Sequence, residues 1–421
     1  MDFDIPSELS DFLAEVDQFI EQKIKPLEQK DDNIRFFDHR REDARTDWER
    51  EGLPNETWED LLRQAKDLAI EAGIFHYPFP TEFGGRGGGN LGMAIIREHL
   101  ASKGLGLHND LQNEHSIVGN SIGLLLMLEY GTEQQKEEWL DGMLHARKGF
   151  AFGITEPEHG SDATYMETGA VKDGDDWIIN GEKTWNTGVH VAACDMVMAR
   201  TSGEPGEALG ITAFLVPMDA EGVKIEEYLW TFNMPSDHAR VSFTDVRVAG
   251  TAIFGGEGRG LQIVQHFFNE NRIRQAASSL GAAQYCVNEA VEHANQRKPF
   301  GKALSTNQGI QFPLVDLNAR CEMIRALIHK TAWLMDRDGA FSVSDKVSIC
   351  NYQANRLCCE AADFAMQVHG GMGYSRYKPF EHIYRHHRRY RITEGADEIQ
   401  MRRAAGYLFG YMKQQKPKGV S

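Results

Sequence analysis

The stretch Trp177-Ile178-Ile179-Asn180-Gly181-Glu182-Lys183-Thr184-Trp185-Asn186-Thr187-Gly188 decides the fold of the middle of this chain. Residues 177–179 are a short β-branched and aromatic run, and Asn-Gly accepts the positive φ angles of a tight hairpin. The stretch therefore predicts a strand that turns at Asn180-Gly181. Residues 196–200, 212–216 and 241–243 are also short and β-rich, with further turn signals at Asp173-Gly174 and Glu221-Gly222. Such alternation predicts antiparallel hairpins that form a small β-barrel or sandwich over residues 149–255.

Outward from this region the period becomes helical. Residues 7–25 place Leu9, Phe12, Leu13, Val16, Phe19, Ile20 and Ile24 on one face, and residues 57–72 do the same with Leu61, Leu62, Ala65, Leu68 and Ala69. Residues 77–90 interrupt the pattern with two prolines and Gly84-Gly85-Arg86-Gly87-Gly88-Gly89. This run superficially resembles a phosphate loop but lacks the Gly-Lys-Ser/Thr that completes one, so a flexible loop is expected. Downstream, residues 260–296, 306–337, 344–370 and 398–412 each support a helix of several turns, which together predict a bundle. The expected fold class is α+β and multidomain. It comprises a helical N-terminal domain over 1–148, a β-barrel middle domain over 149–255 and a C-terminal four-helix bundle over 256–421.

The chain has 421 residues, 41% hydrophobic and 25% charged, the make-up of an ordinary globular protein. Its net charge of −17 argues against nucleic acid or an anionic membrane as partner, since both reward a basic surface. A phosphorylated small ligand needs only a local group of donors and is not excluded. No apolar run reaches the roughly 20 residues of a membrane helix. The first residues carry neither a basic n-region nor an apolar h-region, so a cytoplasmic protein is expected. The six cysteines form no C-x-x-C pair and read as buried free thiols of a reducing compartment.

Five segments can carry chemistry, each with a plain structural reading beside it. Phe152-Gly153-Ile154-Thr155-Glu156-Pro157-Glu158-His159-Gly160-Ser161-Asp162 ends a strand in a turn. Its exposed N–H and hydroxyl groups suit a planar polar ring, and equally an ordinary loop. Trp185 serves a core as well as it serves as a stacking plate. Arg297-Lys298-Pro299-Phe300-Gly301 closes a long helix with two cations, which complement its dipole or receive pyrophosphate. Gln367-Val368-His369-Gly370-Gly371-Met372-Gly373 reads as a helix C-cap whose glycines also admit a ligand to the backbone. In Arg391-Ile392-Thr393-Glu394-Gly395, Glu394 is by itself an acidic residue near a helix N-terminus.

In this order the five segments resemble the acyl-CoA dehydrogenase family, and the resemblance covers essentially the whole chain. The most specific matches are Ile154-Thr155-Glu156-Pro157 with Gly160-Ser161-Asp162, Asn180-Gly181-Glu182-Lys183 with Trp185 and Thr187, residues 297–304, residues 367–373, and Glu394-Gly395 followed by Ile399-Gln400. The resemblance implies FAD as cofactor, its flavin between the last two domains. Phe152, Ile154, Thr155, Trp185 and Thr187 then form the middle-domain face, with Ser161 shared by flavin and thioester. Arg297, Phe300, Gln367 and Gly371 match positions that hold the adenosine-pyrophosphate end for a neighbouring subunit of a homo-oligomer, a tetramer or dimer.

The resemblance further implies that Glu394 is the catalytic base, removing the α-proton of an acyl-CoA while the β-hydrogen leaves as hydride. Phe268, Arg272 and Gly395 match positions that line the substrate's channel, and an electron-transferring flavoprotein is the expected acceptor. Some members carry the base on the first helix of the C-terminal domain. The matching residue here is Asn271, an amide, and its neighbour Glu270 points about 100° away on a helix. No metal is expected: His382 and His386 are spaced i, i+4 but lack a third ligand at a recognisable spacing. The surrounding His- and Arg-rich run reads as a basic surface or subunit contact. Ala396-Asp397-Glu398 stands where the family commonly has Thr or Ser and then Gln, which leans toward a divergent branch and leaves the acyl group unassigned. The same architecture hosts acyl-CoA oxidases, nitroalkane oxidases, flavin monooxygenases and a DNA-associated flavoprotein. A glutamate at the base position counts against nitroalkane oxidation, and the net charge of −17 against DNA.

Overall fold

The computed structural model describes residues 4–38, 40–109, 117–119 and 122–412. Contacts divide the chain into two units. One comprises Met1–Ala44, Trp58–Asn120 and Asn269–Ser421, the other Arg45–Thr57 and Ser121–Phe268. The helices expected in the first 148 residues are shared between them. Ser7–Phe19 and Asn90–Ser102 belong to the first unit, Ile122–Tyr130 and Glu133–Leu144 to the second.

The first unit is helical. Its core joins the helices Gly260–Gln296, Gln308–Asp338 and Ser344–His369 through small and branched side chains such as Ala277, Leu280, Cys321, Ile328, Ala354 and Leu357. Small residues allow close approach, and Gly281 shows how close. A Cβ there would lie 2.3 Å from the Glu98 carbonyl oxygen of the helix Asn90–Ser102. The glycine-rich run before that helix is no phosphate loop. The Asp336 carboxylate accepts the N–H groups of Asn90 at 2.7 Å and Leu91 at 3.0 Å, so the helix N-terminus is occupied by the protein's own anion.

A helix that the sequence reading did not anticipate, Phe380–Arg389, packs against this core. It turns His382, His386 and His387 inward, where all three are buried, and leaves Arg385, Arg388 and Arg389 partly exposed. His386 remains neutral: burial, with Arg389 and Arg97 nearby, holds its imidazole well below the usual value. Among the described residues no group of three or more His, Cys, Asp or Glu is arranged to hold a metal. None of the described helices is long and apolar enough to cross a membrane.

The second unit is built on an eight-stranded sheet. The strands run in the order Ile253–Phe254, Ile211–Pro217, Cys194–Arg200, Gly169–Asp173, Asp176–Thr187, His238–Ala249 and Val223–Leu229, with Phe150–Gly153 paired in parallel beside Cys194–Arg200. Most pairings are antiparallel, as the turn punctuation predicted. Phe214, Val216, Val241 and Phe243 alternate into its core. Two hydrogen bonds of 3.0 Å from Gln135 to the carbonyls of Thr251 and Ile253 fasten the helix Glu133–Leu144 to this unit.

The expected hairpin at Asn180-Gly181 is a correction. The turn falls at Gly174-Asp175, and Asn180-Gly181 is a bulge inside the single strand Asp176–Thr187. The Asn180 amide bonds across to the adjacent strand, donating to Asp245 Oδ1 at 3.1 Å and accepting the Asp245 N–H at 2.8 Å. Gly181 has φ 148°, and a Cβ would lie 2.5 Å from the Thr168 hydroxyl. The Asn-Gly pair thus relieves crowding and bends a continuing strand.

Candidate active site

The resemblance singles out Glu394, which lies in the loop between Phe380–Arg389 and Asp397–Leu408. The loop is closed on itself. The N–H of Asp397 donates to the Arg391 carbonyl at 3.1 Å, and Arg391 Nε meets the Asp397 carboxylate at 3.0 Å. Asp397, nearly fully buried, also receives Arg356 Nε at 2.7 Å. Asp397, one of the three unusual residues that follow Glu394-Gly395, is therefore an ionic anchor of the loop. Gln400 Nε2 donates to the Gly395 carbonyl at 2.9 Å. The buried Arg272 guanidinium caps the Glu394 carbonyl, through Nε at 3.0 Å and through Nη2. Burial, with Arg403 close by, pushes the Arg272 guanidinium below its ordinary value.

This clamp holds Glu394 at φ 49°, a left-handed conformation that a residue with a Cβ adopts at a cost of roughly 1–2 kcal/mol. Gly395 follows at φ 96°, where a Cβ would stand 3.1 Å from Arg272 Nη2. The Glu394 carboxylate is held at both oxygens: Asn271 Nδ2 donates to Oε1 at 2.9 Å and Gln275 Nε2 to Oε2 at 2.8 Å. Asn271 and Gln275 are one helical turn apart on Gly260–Gln296. The neighbouring acid, Glu270, is turned away and spent on Arg274 at 3.2 Å and Asn90 at 3.2 Å. Asn271 and Arg272 were singled out from sequence; Gln275 was not. Its signal was the i, i+4 amide pair, repeated by Asn351 and Asn355 on Ser344–His369.

The other residues of this unit drawn from the resemblance are at the surface. Arg297, Phe300, Gln367 and Gly371 are exposed. Phe300 is completely so and has φ 55°, and no atom lies within 4 Å of where Gly371 would carry a Cβ. An exposed aromatic ring on a strained backbone, with Arg297 three residues before it in the chain, suits a flat, anionic ligand group.

In the β unit, Phe152 stacks on Phe267 at 4.5 Å between ring centres, and Ile154 is buried. Thr155 receives the Thr184 N–H at 2.8 Å, which draws the end of one motif onto the other. Beneath them Lys183, fully buried, donates to the Ile154 carbonyl at 3.1 Å and the Glu156 carboxylate at 2.8 Å. Burial acts to raise the Glu156 carboxyl. The Lys183 charge and the N–H groups of Thr168 and Glu167 outweigh it and hold the carboxyl below its usual range.

Trp185 sits at a second bulge, between Thr184 and Asn186, with φ 65° and half its surface exposed. Asn186 points inward to the fully buried Asp195, whose carboxyl burial pushes up to about 7. Thr187 is exposed, with its hydroxyl 2.9 Å from His238 Nδ1, and Ser161 is exposed in the loop beyond His159. Phe268, on Gly260–Gln296, is half-buried against Phe267. An exposed indole on a fixed bulge, with the Thr187 hydroxyl held by His238 two residues on, has the chemistry to flank an isoalloxazine ring.

Comparison with known proteins shows the family. The acyl-CoA dehydrogenase N-terminal domain matches residues 30–147, the middle domain 151–246 and the C-terminal domain 258–408. A probable acyl-CoA dehydrogenase of Bacillus subtilis is 32% identical over 331 residues, 78% of this chain and 85% of that one. The CarC subunit of the caffeyl-CoA reductase-Etf complex of Acetobacterium woodii is 31% identical over 352 residues, 83% of this chain and 90% of its own. Among solved structures, the glutaryl-CoA complex of glutaryl-coenzyme A dehydrogenase superposes with a TM-score of 0.82 at 28% identity, covering 100% of both chains. The chain belongs to the acyl-CoA dehydrogenase family, FAD-dependent oxidoreductases that act on CH–CH bonds of acyl-CoA.

Proposed function

We propose that this protein dehydrogenates an acyl-CoA thioester to the 2-enoyl-CoA, with Glu394 as the base that takes the α-proton. The supporting observation is the Glu394 loop: a carboxylate on strained backbone, clamped by Arg272, Asp397 and Gln400, while the nearest alternative acid is spent on Arg274. Such anchoring keeps a base in one place at little entropic cost per turnover. The substrate's α-proton is only weakly acidic, so the N–H of Glu394 serves as one donor to the thioester oxygen as charge develops there. FAD, when bound, supplies the two-electron acceptor for the β-hydrogen.

In this reading Phe152, Ile154, Thr155, Ser161, Trp185 and Thr187 hold the flavin end of FAD. Arg297, Phe300, Gln367 and Gly371 hold the adenosine-pyrophosphate end of FAD belonging to a second copy. Phe268, Arg272, Gly395 and Ser161 meet the thioester. We place the domain boundaries after residues 148 and 255. The exposed Phe300, and the stripe of exposed Phe312, Val315, Met323 and Trp333 on Gln308–Asp338, favour a homo-oligomer, which light scattering would measure. An electron-transferring flavoprotein fits as acceptor, given the Etf-complex relative. Six buried free thiols fit the cytoplasm.

The experiment is anaerobic mixing of the yellow holoprotein with straight, branched, aromatic and steroid-side-chain CoA esters. One or more should bleach the flavin, and if none does the dehydrogenase reading fails. Glu394→Gln should retain FAD and bind the ester but lose reduction by several orders of magnitude. Near-normal turnover in this variant would place the base elsewhere.

A further inference from the structure

The two oxygens of Glu394 are not equivalent, and the cause lies in a buried line of amides running away from the loop. An amide side chain can be turned end for end, so its orientation must be fixed by partners with one role only. Here three backbone carbonyls do this. Asn355 Nδ2 donates to the Tyr390 carbonyl at 3.0 Å, Asn351 Nδ2 to the Arg272 carbonyl at 2.9 Å, and Gln400 Nε2 to the Gly395 carbonyl at 2.9 Å. A carbonyl only accepts, so each NH2 group must face it.

The rest follows in sequence. Asn351 Oδ1 accepts from Asn355 Nδ2 at 3.0 Å and Gln400 Nε2 at 2.8 Å. The second proton of Asn351 Nδ2 is then directed at Gln275 Oε1, 3.3 Å away. With its oxygen committed, Gln275 can present only its NH2 to Glu394 Oε2. Asn351, Asn355 and Gln400 are all fully buried and Gln275 almost so, which leaves this line no solvent partner to exchange with. Asn271 differs. It is half-buried, and among the described residues no such line fixes the amide that it offers to Oε1.

We propose that Gln275 is a positioning residue that commits Glu394 Oε2 to a permanent hydrogen bond, leaving Oε1 as the oxygen that takes the substrate's α-proton, with Asn271 yielding its place there. This rests on Glu394 being the base. In the step, the α-carbon–hydrogen bond breaks and the proton moves to Oε1. The electron pair stays on the substrate, delocalised onto the thioester oxygen and then into the new double bond as the β-hydride leaves to the flavin. A carboxylate pinned at one oxygen presents the other along a fixed direction, and misplacement by about 1 Å costs on the order of a hundredfold in rate. Asn271 holds Oε1 in the resting site and must give way before the proton can be accepted.

The test separates proton abstraction from redox chemistry. Holoprotein is incubated with α-deuterated butanoyl-, isobutanoyl- or 3-phenylpropanoyl-CoA, whichever the wild type turns over fastest. Loss of α-deuterium to solvent is followed by mass spectrometry, alongside anaerobic flavin reduction and the dissociation constant of the ester. Gln275→Met, close in volume but without a donor, should slow α-exchange and reduction about ten- to a hundredfold while the dissociation constant moves less than about threefold. Asn271→Ala should keep or raise the exchange rate. Gln275→Leu likewise removes the donor without adding a charge and is read in the same way should the methionine variant fail to fold. If Gln275→Met and Gln275→Leu exchange at the wild-type rate while Glu394→Gln does not exchange, this assignment is overturned and the base survives. If Glu394→Gln exchanges normally, the base assignment itself falls.

Discussion

The ammonium of Lys183 lies 2.8 Å from the carboxylate of Glu156, and both side chains are buried. These residues come from two separate motifs, one closing the strand Phe150–Gly153 and the other inside Asp176–Thr187. Their pairing makes the two motifs one object. It fixes the Ile154–Glu156 turn against the strand that carries Trp185 and Thr187.

Removing the cation should therefore be costly. Lys183→Met leaves a buried carboxylate without its counter-ion, and breaking such a pair from one side costs about 3–5 kcal/mol. The expected loss of thermal stability should shrink on acidification. The Glu156 carboxyl is depressed in the folded state, so its contribution is full above the ordinary carboxylate pKa and disappears as pH falls through the folded value. Melting temperatures of wild type and variant between pH 7 and the acid limit of folding would converge. A constant gap would show that the pair is not the cause.

Asp195 carries the opposite sign. Burial raises its carboxyl from the ordinary 3.8 to about 7, against the Asn186 hydrogen bond and the Lys183 charge. Between those values the folded state binds more protons than the unfolded one, so stability declines as pH rises from about 4 to 7. A shift of about three units corresponds to roughly 4 kcal/mol. Asp195→Asn removes the titration and keeps the shape. It should stabilise the protein at pH 8 more than at pH 4, and an equal effect at both pH values would count against a buried titrating acid.

The sequence made the architecture legible because periodicity reports burial directly. Leu9, Phe12, Val16 and Phe19 line one helical face and are buried as predicted. Asn180-Gly181 misled because positive-φ residues serve bulges as well as hairpins. The choice was made by Asp245, sixty-five positions away, and by the crowding of Thr168. The buried histidines of Phe380–Arg389 misled for a related reason: composition reads them as charged, whereas packing makes His386 neutral. At the candidate site Glu394, Arg272 and Asn271 could be named only through the family resemblance, since Glu394 alone reads as a helix-terminal acid. The line from Gln275 through Asn351 to Gln400 could not, since it joins three helices and exists only after they pack.

Asp397 offers a test of whether the unusual residues after Glu394 serve the loop. Its carboxylate holds Arg356 at 2.7 Å and Arg391 at 3.0 Å. Asp397→Ala should destabilise the protein by roughly 2–4 kcal/mol, discounted from a fully buried pair because both arginines are partly exposed. It should also slow flavin reduction more than it weakens ester binding, because the loop that carries Glu394 loses an anchor. Weakened ester binding with an unchanged reduction rate would instead make Asp397 a ligand contact.

Trp185 allows its two readings, core aromatic and stacking plate, to be separated by sign. Its backbone lies at φ 65° and half of its surface is exposed, so glycine relieves strain of roughly 1–2 kcal/mol while giving up little buried area. The greater freedom of glycine in the unfolded chain offsets part of this, by about 0.4–1 kcal/mol. FAD-free Trp185→Gly should therefore melt within a few degrees of the wild type, whereas truncating a core tryptophan costs about 3–5 kcal/mol. FAD affinity should fall, since an aromatic ring stacked on a planar heterocycle contributes about 1–3 kcal/mol, or roughly five- to a hundredfold. Calorimetry of the FAD-free protein and a fluorescence titration with FAD measure the two quantities independently. A large loss of stability with unchanged affinity would return Trp185 to the core and remove it from the flavin face.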